Sequence, residues 1–378
     1  MTSSLEVRTI STAEHLAFVE GRDTVSFLQT PAWAQVKAEW RGESVGWFAG
    51  GDLAGAGLVL YRKVPKLDRY LAYLPEGPAI DWYDDDLARW LDPLTRHLKG
   101  QGAFGVRMGP PVVTRRWHAP TIKAAVADPA LRTLGEVPAD ENDPRGHAVA
   151  EKLSALGWSE VPTTGGFSAG QPKYNFWVPL TDADGTALTE DAVLKNMNQL
   201  WRRNIKKATK AGVEVSRGTR DDLDAFHRVY TETAERDHFT PRPLAYFRTM
   251  WDAMTAEDPD RLVLYLAHHE GDLVAATTLV RVGTHAWYSY GASTTAKRDV
   301  RGSNAVQWQM MRDALAAGAD VYDMRGITDT LDPDDSHVGL IQFKAGTGGH
   351  AVEYLGEWDL PINRLLHKGF LTYMRRRG

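Results

Sequence analysis

The chain has 378 residues and a formal charge of -5 at pH 7, from 44 basic and 49 acidic side chains. This length predicts about two domains, and the acidic balance means that any contact with RNA or phosphate has to come from a local patch. The absence of cysteine excludes disulfides, thiolate zinc sites and a cysteine nucleophile. Neither a secretion signal nor an apolar run long enough to span a bilayer is found, so a cytoplasmic protein is expected.

A repeat with an offset of roughly 220 residues organises the chain. Phe48–Ala56 resembles Ala267–Ala276, and both segments predict two strands joined by a Gly-Asp turn. Each copy continues with an aromatic-Gly stretch, an amphipathic helix that ends in Gly, and a further strand at Gly102–Met108 or Gly318–Met324. This order favours a mixed sheet with helices on both faces, so the fold class predicted is α/β (mixed α+β).

The boundary between the two copies is expected after a helix at His147–Trp158, which gives domains at 1–158 and 159–359. A strand at Tyr174–Val178 is predicted to open the second copy.

A first polar constellation lies near the N-terminus. Thr30 is predicted to cap a helix whose first residue is Pro31, which places Trp33 and Lys37 one turn apart. Taken alone, these two residues fit a core tryptophan and a surface lysine.

A short basic helix is predicted before a stop at Gly212 and a strand from Val213. Leu200, Arg203 and Lys207 fall on one face of it, together with Lys210. From Lys195 to Arg220 the basic residues face only one acid, Glu214, in the surrounding sequence. Such a cluster is suited to binding phosphate, and it fits equally well a helix face that is simply exposed to solvent.

Two later segments carry further motifs. In Trp287–Ser293, alternation predicts that Tyr288 and Tyr290 share one face of a strand, as they would in a channel lining or in an ordinary core strand. Tyr322–Gly326 is followed by Gly339–Gly349, which combines a Phe-Lys pair with spaced glycines.

Together these segments resemble the FemABX family of tRNA-dependent aminoacyltransferases, which build the interpeptide bridge of peptidoglycan. The similarity covers most of the chain, and its most specific part is the Phe-Lys segment. It implies two tandem GCN5-related N-acyltransferase (GNAT)-like domains, with the C-terminal helix within 360–378 packing back on the first. Many members carry a long coiled-coil arm, and none is expected here, because Val215 to Arg261 has room for about two ordinary helices without heptads.

The resemblance also implies a role for individual residues. Arg203 is preferred to Arg202 because it directly precedes Asn204. The implied site residues are Phe343 and Lys344 where the acyl donor meets the acceptor, Lys37 and Arg203 on precursor phosphate, Trp33, Tyr288 and Tyr290 in a peptide channel, and Lys206, Lys207 and Lys210 on tRNA.

The implied reaction moves an amino acid, with glycine expected, from aminoacyl-tRNA to the stem-peptide side-chain amine of lipid II or UDP-MurNAc-pentapeptide. Lys344 is the candidate for stabilising the tetrahedral intermediate. No cofactor and no metal are expected. Many relatives have an acidic residue where this chain has Gly109, so a carboxylate base is not expected at that place. A monomer is expected, with peripheral contact at the inner membrane face if the acceptor is lipid-linked.

Two alternatives remain. A CoA-dependent N-acyltransferase would need a loop that holds pyrophosphate at a helix N-terminus, and Arg301–Ala305 keeps only part of that pattern. A non-catalytic tRNA- or precursor-binding protein is disfavoured by the intact Phe343–Lys344 signature.

Overall fold

The structure is a computed structural model that describes residues 4–65, 67–162, 170–335 and 337–375. In chain order the strands of the described residues are β1 Glu6–Thr9, β2 Arg41–Ala49, β3 Asp52–Lys63, β4 Tyr70–Leu74, β5 Ala103–Met108, β6 Val113–His118, β7 Glu141–Asn142, β8 Ser159–Glu160, β9 Tyr174–Pro179, β10 Glu214–Arg217, β11 Leu262–His269, β12 Asp272–Val282, β13 His285–Ser293, β14 Val321–Ile327, β15 His350–Tyr354 and β16 Trp358–Pro361. The helices are α1 Thr12–Glu20, α2 Ala32–Val36, α3 Ala88–Gly100, α4 Ala119–Ala127, α5 Pro144–Ala155, α6 Glu190–Asn196, α7 Gln199–Lys210, α8 Leu223–Asp237, α9 Leu244–Glu257, α10 Gly302–Ala316, α11 Val338–Ala345 and α12 Arg364–Arg375.

The chain forms two compact units. Unit 1 consists of residues 1–115, 141–173 and 353–378, and unit 2 of residues 116–140 and 174–352. The sheet of unit 1 has the strand order β1-β2-β3-β4-β5-β16-β8, and the pair β4-β5 is parallel. The second sheet has the strand order β10-β11-β12-β13-β14-β9-β15-β6-β7, with a parallel pair β13-β14. The predicted repeat is therefore present as β2-β3-β4-α3-β5 and β11-β12-β13-α10-β14.

The single domain boundary expected after residue 158 does not match these units, because residues 116–140 belong to unit 2. Trp117 is fully buried in the unit 2 core and donates its indole N–H to the carbonyl oxygen of Val137 at 2.9 Å. The backbone N–H of Ala119 donates to the carbonyl of Gly349 at 3.1 Å, which anchors the start of α4 in the same unit. The apolar residues of segment 116–140, which the sequence placed in the first domain, therefore pack in the core of unit 2.

Helices cover both faces of each sheet. In unit 1, α3 and α5 pack on one face around Trp47, while α12 packs on the other through Phe370, which contacts Phe104 at a ring distance of 5.3 Å. The C-terminal helix thus lies on unit 1. In unit 2, α7 and α10 share one face, and α8 and α9 cover the opposite one.

Apart from a short 3₁₀ helix at Arg220–Asp222, the described residues between β10 and β11 form two helices, α8 and α9, which have 15 and 14 residues and pack on the sheet. No coiled-coil arm is present there. Among the described residues, no helix combines the length and apolarity that crossing a membrane would require. The same part of the chain contains no group of three histidine, aspartate or glutamate side chains placed to hold a metal ion.

Candidate active site in unit 2

A β-bulge in β14 is the centre of the candidate site. The pairing of β14 with β9 shifts register between Asp323 and Gly326, and Arg325 has a left-handed backbone with φ of 61°. Asp323 is fully buried and its Oδ1 accepts the backbone N–H of Arg325 at 2.6 Å. Its Oδ2 accepts the indole N–H of Trp177 at 3.1 Å and lies 3.3 Å from Nε2 of His285. A left-handed arginine is strained unless its surroundings fix it, and the Asp323 carboxylate does so.

The bulge turns three successive carbonyl oxygens towards one ammonium group. Nζ of Lys344 donates to the carbonyls of Met324, Arg325 and Gly326 at 2.7, 3.1 and 2.7 Å. An ammonium has three N–H donors, so all of them are engaged. Lys344 is 3% exposed, although its bonds to Arg325 and Gly326 are only partly buried.

Burial lowers the pKa of Lys344 from 10.5 to about 7, and the nearby Asp323 carboxylate opposes that shift. The group therefore changes its charge close to neutral pH. Perturbed values of this kind are common where a side chain acts on substrate, although structural ion networks produce them too.

Phe343 precedes this lysine at the end of α11 and packs on α7. Its ring lies 4.8 Å from that of Trp201, whose indole N–H donates to the Phe343 carbonyl at 2.8 Å. The spaced glycines allow this approach. A Cβ at Gly346 would overlap the Trp201 ring, and one at Gly348, where φ is +83°, would overlap the carbonyl oxygen of Asn196. The glycine pattern thus serves close packing of the segment that carries Phe343 and Lys344.

The two channel tyrosines do not share a face. Tyr288 pairs with Leu279 and Tyr290 with Thr278, and a bulge lies between these pairs. Because Thr278 and Leu279 are neighbours on one strand, their partners point to opposite sides of the sheet. Alternation therefore predicted the wrong arrangement.

Each of these tyrosines has its own surroundings. Tyr288 packs against the same core as Phe343, and burial raises the pKa of its phenol to about 12. Tyr290 lies in the aromatic cluster under α8 and α9, 5.0 Å from the ring of Phe247, and its hydroxyl is 3.0 Å from that of Tyr246. Of the pair, Tyr288 is the one on the side of Lys344 and Phe343.

The basic helix α7 has the predicted faces. Trp201, Ile205 and Ala208 are buried, and the opposite face is exposed. The exposed side chains include Leu200, Arg203, Lys206, Lys207 and Lys210.

The contacts of the arginines show which of them form an ion pair or a hydrogen bond within the protein. Arg202 donates to the carbonyl of Lys195 at 3.0 Å, whereas Arg203 makes no ion pair with a described residue. Arg217 and Arg220, which looked uncompensated in the sequence, pair with Asp313 at 3.0 Å and Asp252 at 2.6 Å. Among the described residues from Lys195 to Arg220, the basic side chains without an ion pair therefore lie mainly on α7.

Lys37 and Trp33 lie in unit 1. The ammonium of Lys37 is 5.7 Å from the Trp33 ring centre and 4.0 Å from Glu39. The predicted cap is wrong: α2 begins at Ala32, and the Thr30 hydroxyl donates to the carbonyl of Phe27 at 3.0 Å instead of accepting a helix N–H.

The surroundings of Gly109, also in unit 1, are not free of carboxylates. A Cβ at this position would lie 3.8 Å from Cγ of Glu357, a buried residue that follows β15. The Tyr73 hydroxyl donates to Glu357 at 2.6 Å, and burial raises the pKa of this carboxyl. A glutamate that is distant in sequence thus lies beside Gly109.

Comparison with known proteins identifies the family. The model of the FemAB family matches residues 10–270 and 266–374. The chain belongs to the FemAB family. Its relatives include the lipid II:glycine glycyltransferases of Staphylococcus haemolyticus (strain JCSC1435) and Staphylococcus aureus (strain MRSA252). Each is 24% identical to it, over 96% of this chain and 94% of the relative.

Solved structures share the fold of this FemAB member. The crystal structure of FemX superposes with a TM-score of 0.79 at 23% identity, covering 96% of this chain and 99% of the other. A tandem GNAT protein from the clavulanic acid biosynthesis pathway has a TM-score of 0.51 at 12% identity, over 95% and 98% of the two chains. The tandem GNAT-like architecture predicted from the sequence is thereby confirmed.

Sequence reasoning missed Asp323, His285 and the two tryptophans Trp177 and Trp201. Asp323 was visible as the acid of the Tyr322–Gly326 motif, but only the bulge shows that its carboxylate fixes the carbonyls around Lys344. Nothing local in the sequence connects these four residues, since each lies on a different element of unit 2.

Proposed function

We propose that this FemAB member transfers a glycyl group from glycyl-tRNA to the stem-peptide side-chain amine of a peptidoglycan precursor. The observation that carries the proposal is that the lipid II:glycine glycyltransferases align with 96% of this chain, while the FemAB family model covers the Lys344 segment within residues 266–374. The activity of these relatives supplies glycine and lipid II. The tRNA donor follows from the resemblance described above.

In the proposed step, the amine nitrogen attacks the ester carbonyl carbon of the aminoacyl-tRNA. A C–N bond forms and the bond from that carbon to the ribose oxygen breaks, while the amine proton passes to the departing ribose oxygen. No oxidation takes place. Since ester-to-amide transfer is favourable, the demands on the protein are orientation and stabilisation of the negative tetrahedral oxygen.

We assign the oxygen-stabilising role to Lys344. Its ammonium is held by three carbonyls, and two of those bonds, to Arg325 and Gly326, are only partly buried. We propose that one of them is exchanged for the substrate oxygen in the tetrahedral state. Asp323 is a positioning residue, because it acts through the bulge. Phe343 and Tyr288 flank the same core and are proposed to line the path of the reacting groups.

Binding of the two large substrates is assigned to charged side chains. Arg203 and Lys37 are each proposed to contact precursor phosphate. Of the three aromatic residues that the family resemblance implies for the peptide channel, Trp33 and Tyr288 are proposed to line it, whereas Tyr290 lies on the opposite side of its sheet. The exposed cations Lys206, Lys207 and Lys210 of α7 are proposed to follow tRNA phosphates, which gives a salt-sensitive affinity.

A transfer assay tests the proposal. Radiolabelled glycyl-tRNA, a second charged tRNA and labelled acetyl-CoA are each offered with lipid II and with UDP-MurNAc-pentapeptide. Amide formation from glycyl-tRNA on either acceptor is expected. Turnover with acetyl-CoA would favour the CoA-dependent alternative, and binding of tRNA or precursor without transfer from any donor would favour the non-catalytic one.

A further inference from the structure

Helix α12 presents an outward face whose composition suits a lipid surface. Its inward face is buried through His367 and Phe370, while Leu365 is 83% exposed. Lys368 follows Leu365 by three residues and Arg364 by four, so the three side chains lie on one side of the helix. A leucine this exposed, between cations, has no role in the packing of unit 1.

The turn between β3 and β4 lies beside the same helix. Val64 packs with Leu366 and Met374 against the small apolar cluster that holds α12 on the sheet. The turn closes through a bond from the Leu67 N–H to the Val64 carbonyl at 3.2 Å, and it leaves Leu67 46% exposed. Each exposed leucine therefore lies close in the chain to a residue that packs on this cluster, Leu67 to Val64 and Leu365 to Leu366.

Basic residues accompany these leucines in a protein that is acidic overall. The described residues of segments 63–69 and 363–374 include four lysines and arginines (Lys63, Arg69, Arg364 and Lys368) and a single acid, Asp68. Asp68 is itself paired with Lys63 at 3.2 Å. An exposed apolar residue set among cations is the pattern by which a peripheral helix binds at the headgroup level of an anionic bilayer.

We propose that α12 and the β3–β4 turn form a docking surface for an anionic lipid bilayer. This surface consists of Lys63, Leu67, Arg69, Arg364, Leu365 and Lys368. The leucines insert at the boundary between headgroups and acyl chains, and the cations meet the lipid phosphates. Nucleic acid is the less fitting partner, because an aliphatic side chain offers a base neither a hydrogen bond nor a ring for stacking. The inference deepens the proposed function, since a lipid-linked acceptor is reached at the bilayer.

Vesicle co-sedimentation of the full chain, without any precursor, tests the docking. The vesicles contain phosphatidylcholine alone or with phosphatidylglycerol. The variants are Lys368→Glu and Leu365→Ser, and Leu200→Ser is the matched control, since it makes the same change at an exposed leucine (58%) of the other basic helix, α7. Binding is expected only with phosphatidylglycerol, and it should weaken with salt.

Each charge near such a surface is worth about a fivefold change in affinity, so the reversal at Lys368 should weaken binding by more than tenfold. Leu365→Ser should weaken it several-fold, and Leu200→Ser should not. The proposal is overturned if the wild type does not bind these vesicles, if both α12 variants bind like the wild type, or if the loss follows Leu200. Loss of aminoacyl-tRNA binding with unchanged vesicle binding would make α12 an RNA surface and would also overturn it.

A second readout separates this surface from the proposed reaction. Leu365→Ser and Lys368→Glu should slow transfer to lipid II in phosphatidylglycerol vesicles and leave transfer to the nucleotide-linked acceptor in solution unchanged. If no donor supports transfer to any acceptor but the vesicle pattern holds, the docking surface stands and the proposed function fails.

Discussion

Replacing Lys344 with methionine is expected to slow transfer far more than it weakens binding of either substrate. The methionine keeps much of the side-chain bulk and removes the ammonium. If that group stabilises charge that exists only in the tetrahedral state, its loss costs about 2.7–4 kcal/mol, or a hundredfold to a thousandfold in rate. Phe343→Leu, which changes packing beside the site but not charge, should have a milder effect.

The contacts of Lys344 indicate that the methionine variant folds. Lowering the lysine pKa from 10.5 to about 7 corresponds to about 5 kcal/mol by which burial disfavours the cation. The variant avoids that cost. In exchange it leaves the carbonyls of Met324, Arg325 and Gly326 without this donor, and an unsatisfied buried group costs about 1–3 kcal/mol. The two contributions oppose each other, so the free energy of unfolding should change by a few kcal/mol at most.

The assay compares the single-turnover rate with the dissociation constants of precursor and charged tRNA. Lys344→Gln is the control, because its amide can still donate to the bulge carbonyls but carries no charge. If it is as slow as Lys344→Met, the charge is required. The ratio of wild-type to variant rates should also fall as pH rises through about 7, where the wild-type lysine loses its proton. A near-normal rate in Lys344→Met, or recovery of the rate in Lys344→Gln, would refute charge stabilisation by Lys344.

Three further predictions concern binding and stability. Lys37→Ala and Arg203→Ala should each weaken precursor binding with the fold intact, and Arg203→Lys should be partly tolerated. The control Arg202→Ala, which loses a bond to the Lys195 carbonyl, should bind the precursor normally. Unchanged affinity in both Lys37→Ala and Arg203→Ala would reject the assignment. Charge reversal at Lys206, Lys207 and Lys210 should weaken aminoacyl-tRNA binding and flatten its salt dependence, and wild-type affinity and slope would show that tRNA binds elsewhere. Burial lowers the pKa of His15 in the folded protein to about 4. Between pH 6.5 and 4 this histidine therefore binds a proton in the unfolded chain but not in the folded one. The free energy of unfolding should fall by about 3 kcal/mol as the pH is lowered over that range. Denaturant unfolding of His15→Gln should lack this part of the pH dependence, and an identical dependence in both proteins would contradict it.

Elements with local signals could be predicted from the sequence. Both hairpins of the repeat were predicted from their Gly-Asp turns, and α7 was predicted from its spacing and from Gly212, whose φ of +79° ends the helix. The amphipathic pattern also placed the cations of α7 on the exposed face, because burial of Trp201 and Ile205 fixes the rotation of the helix.

Features set by distant residues could not be predicted. The alternation of side chains assumed along a regular strand does not predict the bulge between Tyr288 and Tyr290, because a bulge is a property of two paired strands. The acids that neutralise Arg217 and Arg220 lie on other helices, so counting charges along the chain overstated the basic cluster. For the same reason the three carbonyls around Lys344 are invisible in a sequence motif that shows only the lysine.

Comparing equivalent positions of the two repeat copies shows how unit 2, which carries the candidate site, differs from unit 1. In the repeat, Arg107 of unit 1 corresponds to Asp323 of unit 2, and each faces the antiparallel neighbour of its strand. In unit 1, Arg107 forms a two-bond ion pair with Asp359 at 2.7 and 2.8 Å, and the pairing of β5 with β16 continues without a shift.

In unit 2, the acid at this position bonds Trp177 with one oxygen and uses the other for the N–H of Arg325, so β14 bulges and turns its carbonyls outward from the ladder. A regular ladder would consume those carbonyls in strand pairing and leave nothing to hold an ammonium group. The acidic residue at this position of the duplicated strand is therefore one of the features that distinguish unit 2, together with Lys344 on α11, whose ammonium the bulge carbonyls hold. Asp323→Asn should lower the pKa of Lys344 further, because the amide lacks the negative charge that favours the lysine cation. Its oxygen can still accept from the Arg325 N–H, but its NH2 group then faces the Trp177 indole N–H and that hydrogen bond is lost. The pH dependence of the transfer rate measures the change.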